Sequence, residues 1–113
     1  MRAKKSGSSN PFLHGTLDAL ILKTLSYGPR HGYAVARRIE QTTGDAILVE
    51  DGSLYPSLYR LEKRGLLESG WGTSEHGRRA KIFRLTKKGE QALAREVAMW
   101  ESFHVAVSKV LLA

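Results

Sequence analysis

The chain has 113 residues, 42% of them hydrophobic, which suits one domain with a single modest core. Its 18 Lys and Arg residues outnumber 11 Asp and Glu residues and give a formal net charge of +7. This basic balance indicates a polyanionic partner, although a solvated charge that serves solubility explains it equally well. The chain has no cysteine, which excludes disulfides, thiolate zinc sites and a cysteine nucleophile.

The four histidines (His14, His31, His76 and His104) show no metal-ligand spacing. No apolar run approaches the roughly 20 residues of a membrane span, and the N-terminal stretch lacks the apolar segment of a signal peptide. We therefore expect a cytoplasmic protein without a metal, a cofactor or a membrane partner.

Residues 1–10 are basic and rich in Gly and Ser, so we expect them to form a flexible arm. Arg2, Lys4 and Lys5 could follow a phosphate backbone or enter a minor groove, as some N-terminal arms do. A tail that is simply disordered is the alternative.

Two helices are predicted next, over residues 12–27 and 31–42, because apolar residues recur at steps of three and four. Gly28 and Pro29 separate them. In the second helix, Arg37 and Arg38 lie opposite the expected buried stripe, which comprises Val35, Ala36 and Ile39.

Residues 45–50 are rich in β-forming residues and predict an extended connector or a short edge strand. Residues 51–53 then offer capping groups for a third helix over residues 54–64, which Gly65 ends. Pro56 is tolerated in a first turn, where its missing N–H has no partner within the helix.

Two strand-like runs, 66–71 and 80–85, flank a polar segment and predict a hairpin with a basic tip. Thr86 is expected to cap a last helix over residues 87–112, roughly 39 Å long. The predicted fold is mainly α with a small β-hairpin, a winged helix-turn-helix with a long C-terminal helix. We expect residues 1–10 to be an arm, 11–86 the DNA-binding domain and 87–113 a dimerisation helix.

The third helix has two chemically different faces when it is projected at 100° per residue. Its apolar face carries Leu54, Leu58 and Leu61, and its outer face carries Pro56, Tyr59, Arg60 and Lys63, with Ser57 and Arg64 at the flanks. Cationic, hydroxyl and aromatic groups of this kind hold phosphates and reach base edges. An ordinary amphipathic helix with a solvated outer face is the alternative.

Basic residues also occur on the two neighbouring elements. Arg37 and Arg38 lie on the preceding helix, while Arg78, Arg79 and Lys81 lie at the hairpin tip. A helix-turn-helix with a basic wing can hold the major groove and the adjacent backbone together. The pattern therefore favours binding of double-stranded DNA.

The segments HGYAVARRI (31–39), SLYPSLYRLEKRGLL (53–67) and GRRAKIFRLTKKGEQAL (77–93) resemble the signatures of PadR-type transcriptional regulators. The resemblance spans nearly all of residues 12–112, and the short C-terminal region is similar to the compact subfamily. It implies a homodimeric winged-helix repressor on a two-fold DNA operator, with release by a small-molecule effector. By position it implies these DNA contacts: Tyr33, Ser53, Tyr55, Pro56, Ser57 and Tyr59. Tyr55 could instead be a tyrosine at the edge of the core.

The last helix carries a heptad seam of apolar side chains, which needs a partner because the domain's own helices can cover only part of it. A second row lies beside it: Ala92, Met99, Phe103, Ala106 and Val110. We expect the seam and the partner's first helix to form a homodimer interface of Leu13, Leu17, Leu93, Val97, Trp100, Phe103, His104, Val107 and Leu111.

Trp100 interrupts the aliphatic pattern and, with Met99, Phe103 and His104, could hold a flat aromatic ligand near the dimer axis. The alternatives are that Trp100 is a large interface anchor and that His104 is a hydrogen-bonded interface residue.

Two other classes of function fit the sequence less well. A winged helix that binds RNA or protein is disfavoured because aromatic strands of the RNA-reading type are absent from the sequence. An enzyme is disfavoured because Asp18 and Glu50 have no paired carboxylate or nucleophile nearby in sequence, and no Gly-rich phosphate loop precedes a helix.

Overall fold

A computed structural model describes residues 11–73 and 76–113, with side chains from residue 15 onward. The described part contains four helices and three strands, which confirms the predicted fold class. In chain order they are α1 (Pro11–Leu25), β1 (Arg30–His31), α2 (Gly32–Thr42), α3 (Asp51–Lys63), β2 (Leu67–Thr73), β3 (Arg79–Leu85) and α4 (Lys87–Leu111). Arg2, Lys4 and Lys5 lie outside the described residues.

The strands form one antiparallel sheet in the order β1-β3-β2. Within the hairpin, Ser69 lies opposite Phe83 and Trp71 lies opposite Lys81. The sequence did not predict β1, because two residues are too short to show a periodic pattern. His31, expected to begin the second helix, instead pairs with β3 and caps α2, where its Nδ1 accepts a hydrogen bond from the Ala34 N–H at 3.3 Å.

The core is formed by the apolar faces of the helices, closed on one side by the sheet. The predicted stripes of α2 and α3 are buried as expected. Phe83 is the largest side chain that is fully buried, and it joins the sheet to the helices. The core residues are Leu17, Ile21, Leu22, Leu25, Val35, Ala36, Ile39, Val49, Leu54, Leu58, Leu61, Leu66, Leu67, Phe83 and Ala92.

The connection between α2 and α3 contains a turn over residues 43–45, and no strand forms over residues 45–50, so the alternative of a short edge strand is wrong. Gly44 and Asp45 both adopt positive φ, +59° and +64°, which reverses the chain where a strand would extend it. The Glu40 carboxylate then accepts a hydrogen bond from the Val49 N–H at 2.9 Å. The turn is therefore fixed by side-chain contacts that a propensity-based prediction does not include.

Helix α3 begins at Asp51, three residues earlier than predicted, with Glu50 at its N-cap and no side-chain capping bond there. Pro56 consequently lies inside the helix instead of in its first turn. Its missing N–H removes one bond, to the Gly52 carbonyl, which belongs to an exposed residue.

Helix α4 begins as predicted, since the Thr86 Oγ1 accepts a hydrogen bond from the Gly89 N–H at 2.9 Å. Only Gly89 and Ala92 of this 25-residue helix are buried, so its distal half carries an exposed surface away from the core. Across the described residues, no helix is both long and apolar enough to cross a membrane.

Candidate nucleic-acid interface

Helix α3 has an outer surface and two flanks, one of which contacts α1 and the other the sheet. Ser57 is turned inward with the leucines and is only 4% exposed. Its Oγ accepts a hydrogen bond from Arg60 Nη2 at 3.2 Å. The prediction that Ser57 contacts DNA is therefore wrong, because α1 lies beside this edge of α3, which a projection of the helix alone leaves at the surface.

Arg60 lies on the flank of α3 that faces α1. Its Nη2 is 3.0 Å from Asp18 Oδ1, and its side chain is about half exposed. The pair stands at an open cleft of about 460 Å³ between α1 and the start of α3, where Ser53 and Pro56 also lie. The positive charge of Arg60, which the sequence predicts to contact DNA, is thus partly balanced by Asp18 of the same chain.

The other flank of α3 faces the sheet. The Tyr59 ring, about half exposed, lies 6.4 Å from the Phe83 ring, and Lys81 Nζ lies 5.1 Å from the centre of the Tyr59 ring. Glu62 joins helix and sheet, since it accepts a hydrogen bond from Ser69 Oγ at 2.6 Å and lies 3.8 Å from Lys81 Nζ. These contacts fix the wing relative to α3.

Tyr55 is half-buried against the core and also touches the start of α2. A Cβ added at Gly32 would lie 2.8 Å from Tyr55 Cε1, so the glycine makes room for the ring. Burial, and secondly the nearby Asp51 charge, raises the pKa of the Tyr55 hydroxyl. These contacts favour the alternative of a tyrosine at the edge of the core. Tyr33 is exposed and stacks on His31 at 6.3 Å.

The two arginines of α2 are both exposed but have different neighbours. Arg37 pairs with Glu40 at 3.1 Å. Arg38 lies over the Tyr27 ring at 5.7 Å, and Lys23 lies over the same ring at 5.0 Å. The remaining predicted cations of α3 and the wing, Lys63, Arg64, Arg78 and Arg79, are exposed as well.

The wing carries one aromatic side chain that the sequence reasoning missed. Trp71 on β2 is 65% exposed, and the Arg79 guanidinium lies 4.7 Å from the centre of its indole. The alternation of β2 could have found it: Trp71 has the parity of buried Leu67 but lies beyond the end of the core, between Gly70 and Gly72.

The predicted interface residues of α4 are divided between core and surface. Leu17 on α1 is only 1% exposed and belongs to the core of its own protomer, so its assignment to a dimer contact is wrong. Leu93 is half-buried against that core, as Val107 is half-buried on α4. The Leu13 side chain lies outside the described residues. The exposed members are Val97, Trp100, Phe103, His104 and Leu111, and Met99 of the predicted ligand site is exposed as well.

Trp100 stands in an aromatic cluster on this surface. Its ring stacks on His104 at 5.7 Å with an interplanar angle of 19°, and it meets Phe103 at 6.4 Å. The three side chains follow the i, i+3 and i+4 spacing that brings neighbours together along one helix face.

A family model described as the transcriptional regulator PadR-like family matches residues 21–95. The chain belongs to this family. The matched segment includes the helix-turn-helix, the wing and the start of α4, and it ends before Trp100.

Solved structures of transcriptional regulators share the fold of most of this chain. A transcriptional regulator from Clostridium thermocellum is 26% identical, with a TM-score of 0.81, and the match covers 88% of this chain and 97% of that one. A PadR family regulator from Eggerthella lenta is 33% identical, with a TM-score of 0.75 and coverage of 88% and 85%. A PadR-like regulator from Bacillus cereus is 27% identical, with a TM-score of 0.77 and coverage of 90% and 97%.

These matches confirm the resemblance and identify a DNA-binding transcriptional regulator with a winged helix. PadR-like proteins are regulators and not enzymes, which agrees with the expectation from the sequence.

Proposed function

We propose that the chain is a homodimeric repressor in which α3 of each protomer enters the major groove of a two-fold operator. Residues 11–86 form the DNA-binding domain and residues 87–113 the dimerisation helix. The exposed cations and hydroxyls on and around α3 support this reading, since such groups bind phosphates and base edges. The proposed contacts are Tyr33, Arg37, Arg38, Ser53, Pro56, Tyr59, Arg60, Lys63, Arg64, Arg78, Arg79 and Lys81.

The observation that carries the dimer is the exposed apolar face of α4. Val97, Trp100 and Phe103 are each about half exposed, although they are large apolar side chains in one contiguous row. A monomer rarely leaves so continuous a row in water, and a second copy of the same helix would bury it. Repression follows from occupancy, because a dimer bound across a promoter excludes the transcription machinery.

The aromatic cluster of Trp100, Phe103 and His104 supports a ligand site at the dimer contact. A flat aromatic effector would stack on the indole, which already stacks on an imidazole. The same helix joins the two DNA-binding domains, so an effector that prefers one spacing of the domains shifts the affinity for DNA. Met99 is exposed beside the cluster and would contribute a flexible wall.

The proposal is tested by titrating the protein against the intergenic DNA upstream of its own gene, with fluorescence anisotropy and with sedimentation velocity. We expect a dimer, and an affinity that falls steeply with added salt because several phosphates are neutralised. Lys63→Ala should weaken binding roughly 5- to 10-fold, and the double variant Arg60→Ala with Lys63→Ala should remove most of it.

Lys109→Ala is the matched control, since it removes the same charge from an exposed position on the far part of α4. A double variant that keeps wild-type affinity would overturn the assignment of α3, and a monomer at micromolar concentration would overturn the dimer. Equal affinity for operator and random duplex would favour the alternative of an RNA-binding or protein-binding winged helix.

A further inference from the structure

The wing carries an exposed tryptophan, Trp71, on the face of the sheet that packs against α3. Trp71 lies opposite Lys81 in the hairpin, and Lys81 is two residues from the buried Phe83 on the same face of β3. The indole therefore continues the core-facing side of the sheet beyond the edge of the core. It is 65% exposed there, so the fold does not require it for burial.

Arg79 covers the Trp71 ring. Its guanidinium lies 4.7 Å from the indole centre, the arrangement of a cation on an aromatic face. A guanidinium that stacks on an aromatic ring keeps its N–H edge able to donate to an oxyanion. The ring thus orders a flexible side chain before a ligand arrives, which lowers the entropy lost on binding.

The same alternation of cation and ring continues to α3. Lys81 Nζ lies 5.1 Å from the Tyr59 ring, and Glu62 holds the lysine from the helix at 3.8 Å. Arg79, Trp71, Lys81 and Tyr59 thus form one row from the wing to the outer flank of α3, here called the wing row.

We infer that Trp71 is a further DNA-contacting residue, which positions Arg79 and fixes where the wing row meets the sugar–phosphate backbone beside the groove that α3 occupies. The Trp71 ring packs on a deoxyribose, and Arg79 and Lys81 bind the phosphates on either side. A backbone of alternating apolar sugars and anionic phosphates matches a row of alternating rings and cations. This inference rests on the proposed function, because it assumes that α3 is the helix that meets DNA.

The charge of the row selects this partner over an ordinary protein surface. Two cations lie within a short strip of a chain whose net charge is +7, and among the described residues the one carboxylate that the row contacts is Glu62, beside Lys81, so an apolar docking face would bury the charge of Arg79 without a counter-charge. DNA neutralises both cations and releases counterions as it does so.

The two tryptophans of the chain allow a direct test. The natural chain and Trp71→Phe are titrated side by side with a random-sequence duplex of about two helical turns at low salt, so that the difference between their emission curves reports Trp71. We expect the Trp71 emission to be quenched as the duplex binds, and to reach its plateau at the same concentration as the anisotropy of the labelled duplex. Added salt should reverse the quenching. In a Trp71→Phe chain, the Trp100 emission should not follow the binding curve in this way.

Affinities measured in the otherwise natural chain give a second readout. Trp71→Ala and Arg79→Ala should each weaken duplex binding roughly 5- to 10-fold, and the double variant should lose little more, because the ring acts by holding the guanidinium. Trp71→Phe, which keeps a ring, should lose less than Trp71→Ala. Circular dichroism melting should be nearly unchanged, since the indole is mostly exposed.

Two results would overturn the inference: duplex binding without a change in Trp71 emission, or an affinity of Trp71→Ala within about twofold of the natural chain. In either case, a loss of affinity in Lys63→Ala would show that the proposed function of α3 still stands. Failure of the natural chain to bind any duplex would overturn both.

Discussion

The carboxylate of Asp18 on α1 holds the guanidinium of Arg60 on α3 at 3.0 Å, on the flank of α3 opposite the one that contacts the sheet. Ser57 accepts a second bond from the same Nη2 atom. Arg60 is therefore positioned and partly neutralised by its own chain. Its contribution to DNA binding should depend on Asp18, because a phosphate must compete with this carboxylate.

Replacing Asp18 with Asn should tighten DNA binding by roughly 2- to 5-fold, since it removes one negative charge from beside the interface and releases Arg60. The slope of the logarithm of the binding constant against the logarithm of the salt concentration should also steepen by about the amount that one additional phosphate contact gives. Fluorescence anisotropy with labelled operator at several salt concentrations measures both quantities.

Glu101→Gln is the control for Asp18→Asn, because it removes an equal charge from an exposed position on α4. Asp18→Asn should have a much smaller effect when Arg60 is already Ala. An equal gain in both backgrounds would mean that Asp18 acts through general charge and not through Arg60.

Replacing Glu40 with Ala should lower the free energy of unfolding by about 1–3 kcal/mol, because the Val49 N–H loses a charged acceptor in a partly buried place. Its effect on DNA binding combines two opposite contributions, since a looser turn before α3 weakens binding whereas the release of Arg37, which pairs with Glu40 at 3.1 Å, strengthens it. Urea denaturation and anisotropy on the same samples separate the two effects.

Gln41→Ala is the control for Glu40→Ala, because Gln41 is exposed on the next position of α2. Equal stability of the two variants would show that the Val49 contact does not hold the turn.

Replacing Gly89 with Ala should lower the free energy of unfolding by at least about 2 kcal/mol. The added Cβ would lie 2.1 Å from the Leu66 carbonyl oxygen and 2.7 Å from Leu85 Cδ1, so α4 would have to move off the sheet. Gly15→Ala is the opposite case, since no neighbour lies within 4 Å and the residue is inside α1. It should raise stability by about 0.5–1 kcal/mol, and thermal melts of both variants compare the two.

The elements that could be predicted from the sequence are those whose pattern of apolar or capping residues lies within one segment of the chain. The leucine faces of α3 and the Thr86 cap are of this kind, because periodicity and capping chemistry are local. The features that were missed depend on contacts between segments. Ser57 is buried because α1 covers its edge, and the turn before α3 is held by Glu40, nine residues before Val49.

The aromatic residues show the same limit at the site. Tyr59 was placed on the outer face correctly from helix geometry. Trp71 was not recognised, because its role depends on Arg79 across the hairpin and on where the core ends. Leu17 was misassigned since an apolar helix face does not reveal whether its own chain or a partner covers it.

Replacing Trp100 with Ala should abolish any response of DNA affinity to flat aromatic compounds while the dimer still binds DNA. The indole stacks on His104 and meets Phe103 on an exposed face, so its loss removes the stacking surface without opening a cavity in the protomer core. An effector can release DNA only through a difference in its affinity for two dimer geometries, and that difference disappears with the ring that binds it.

The measurement is the fluorescence anisotropy of labelled operator DNA at increasing concentrations of a planar aromatic cation such as an acridine. Sedimentation velocity follows the mass of the dimer in the same samples. Met99→Ala is the matched control, because it shortens an exposed neighbour on the same helix and leaves the indole in place. Release of DNA by the compound from Trp100→Ala, at the concentration that acts on the natural chain, would remove Trp100 from the ligand site. An unrelated DNA-binding domain on its own duplex serves as a second control, because a compound that acts by binding free DNA would release that domain as well. The ring and the helix that carries it would then serve the dimer alone, as an apolar anchor in a contact between two copies.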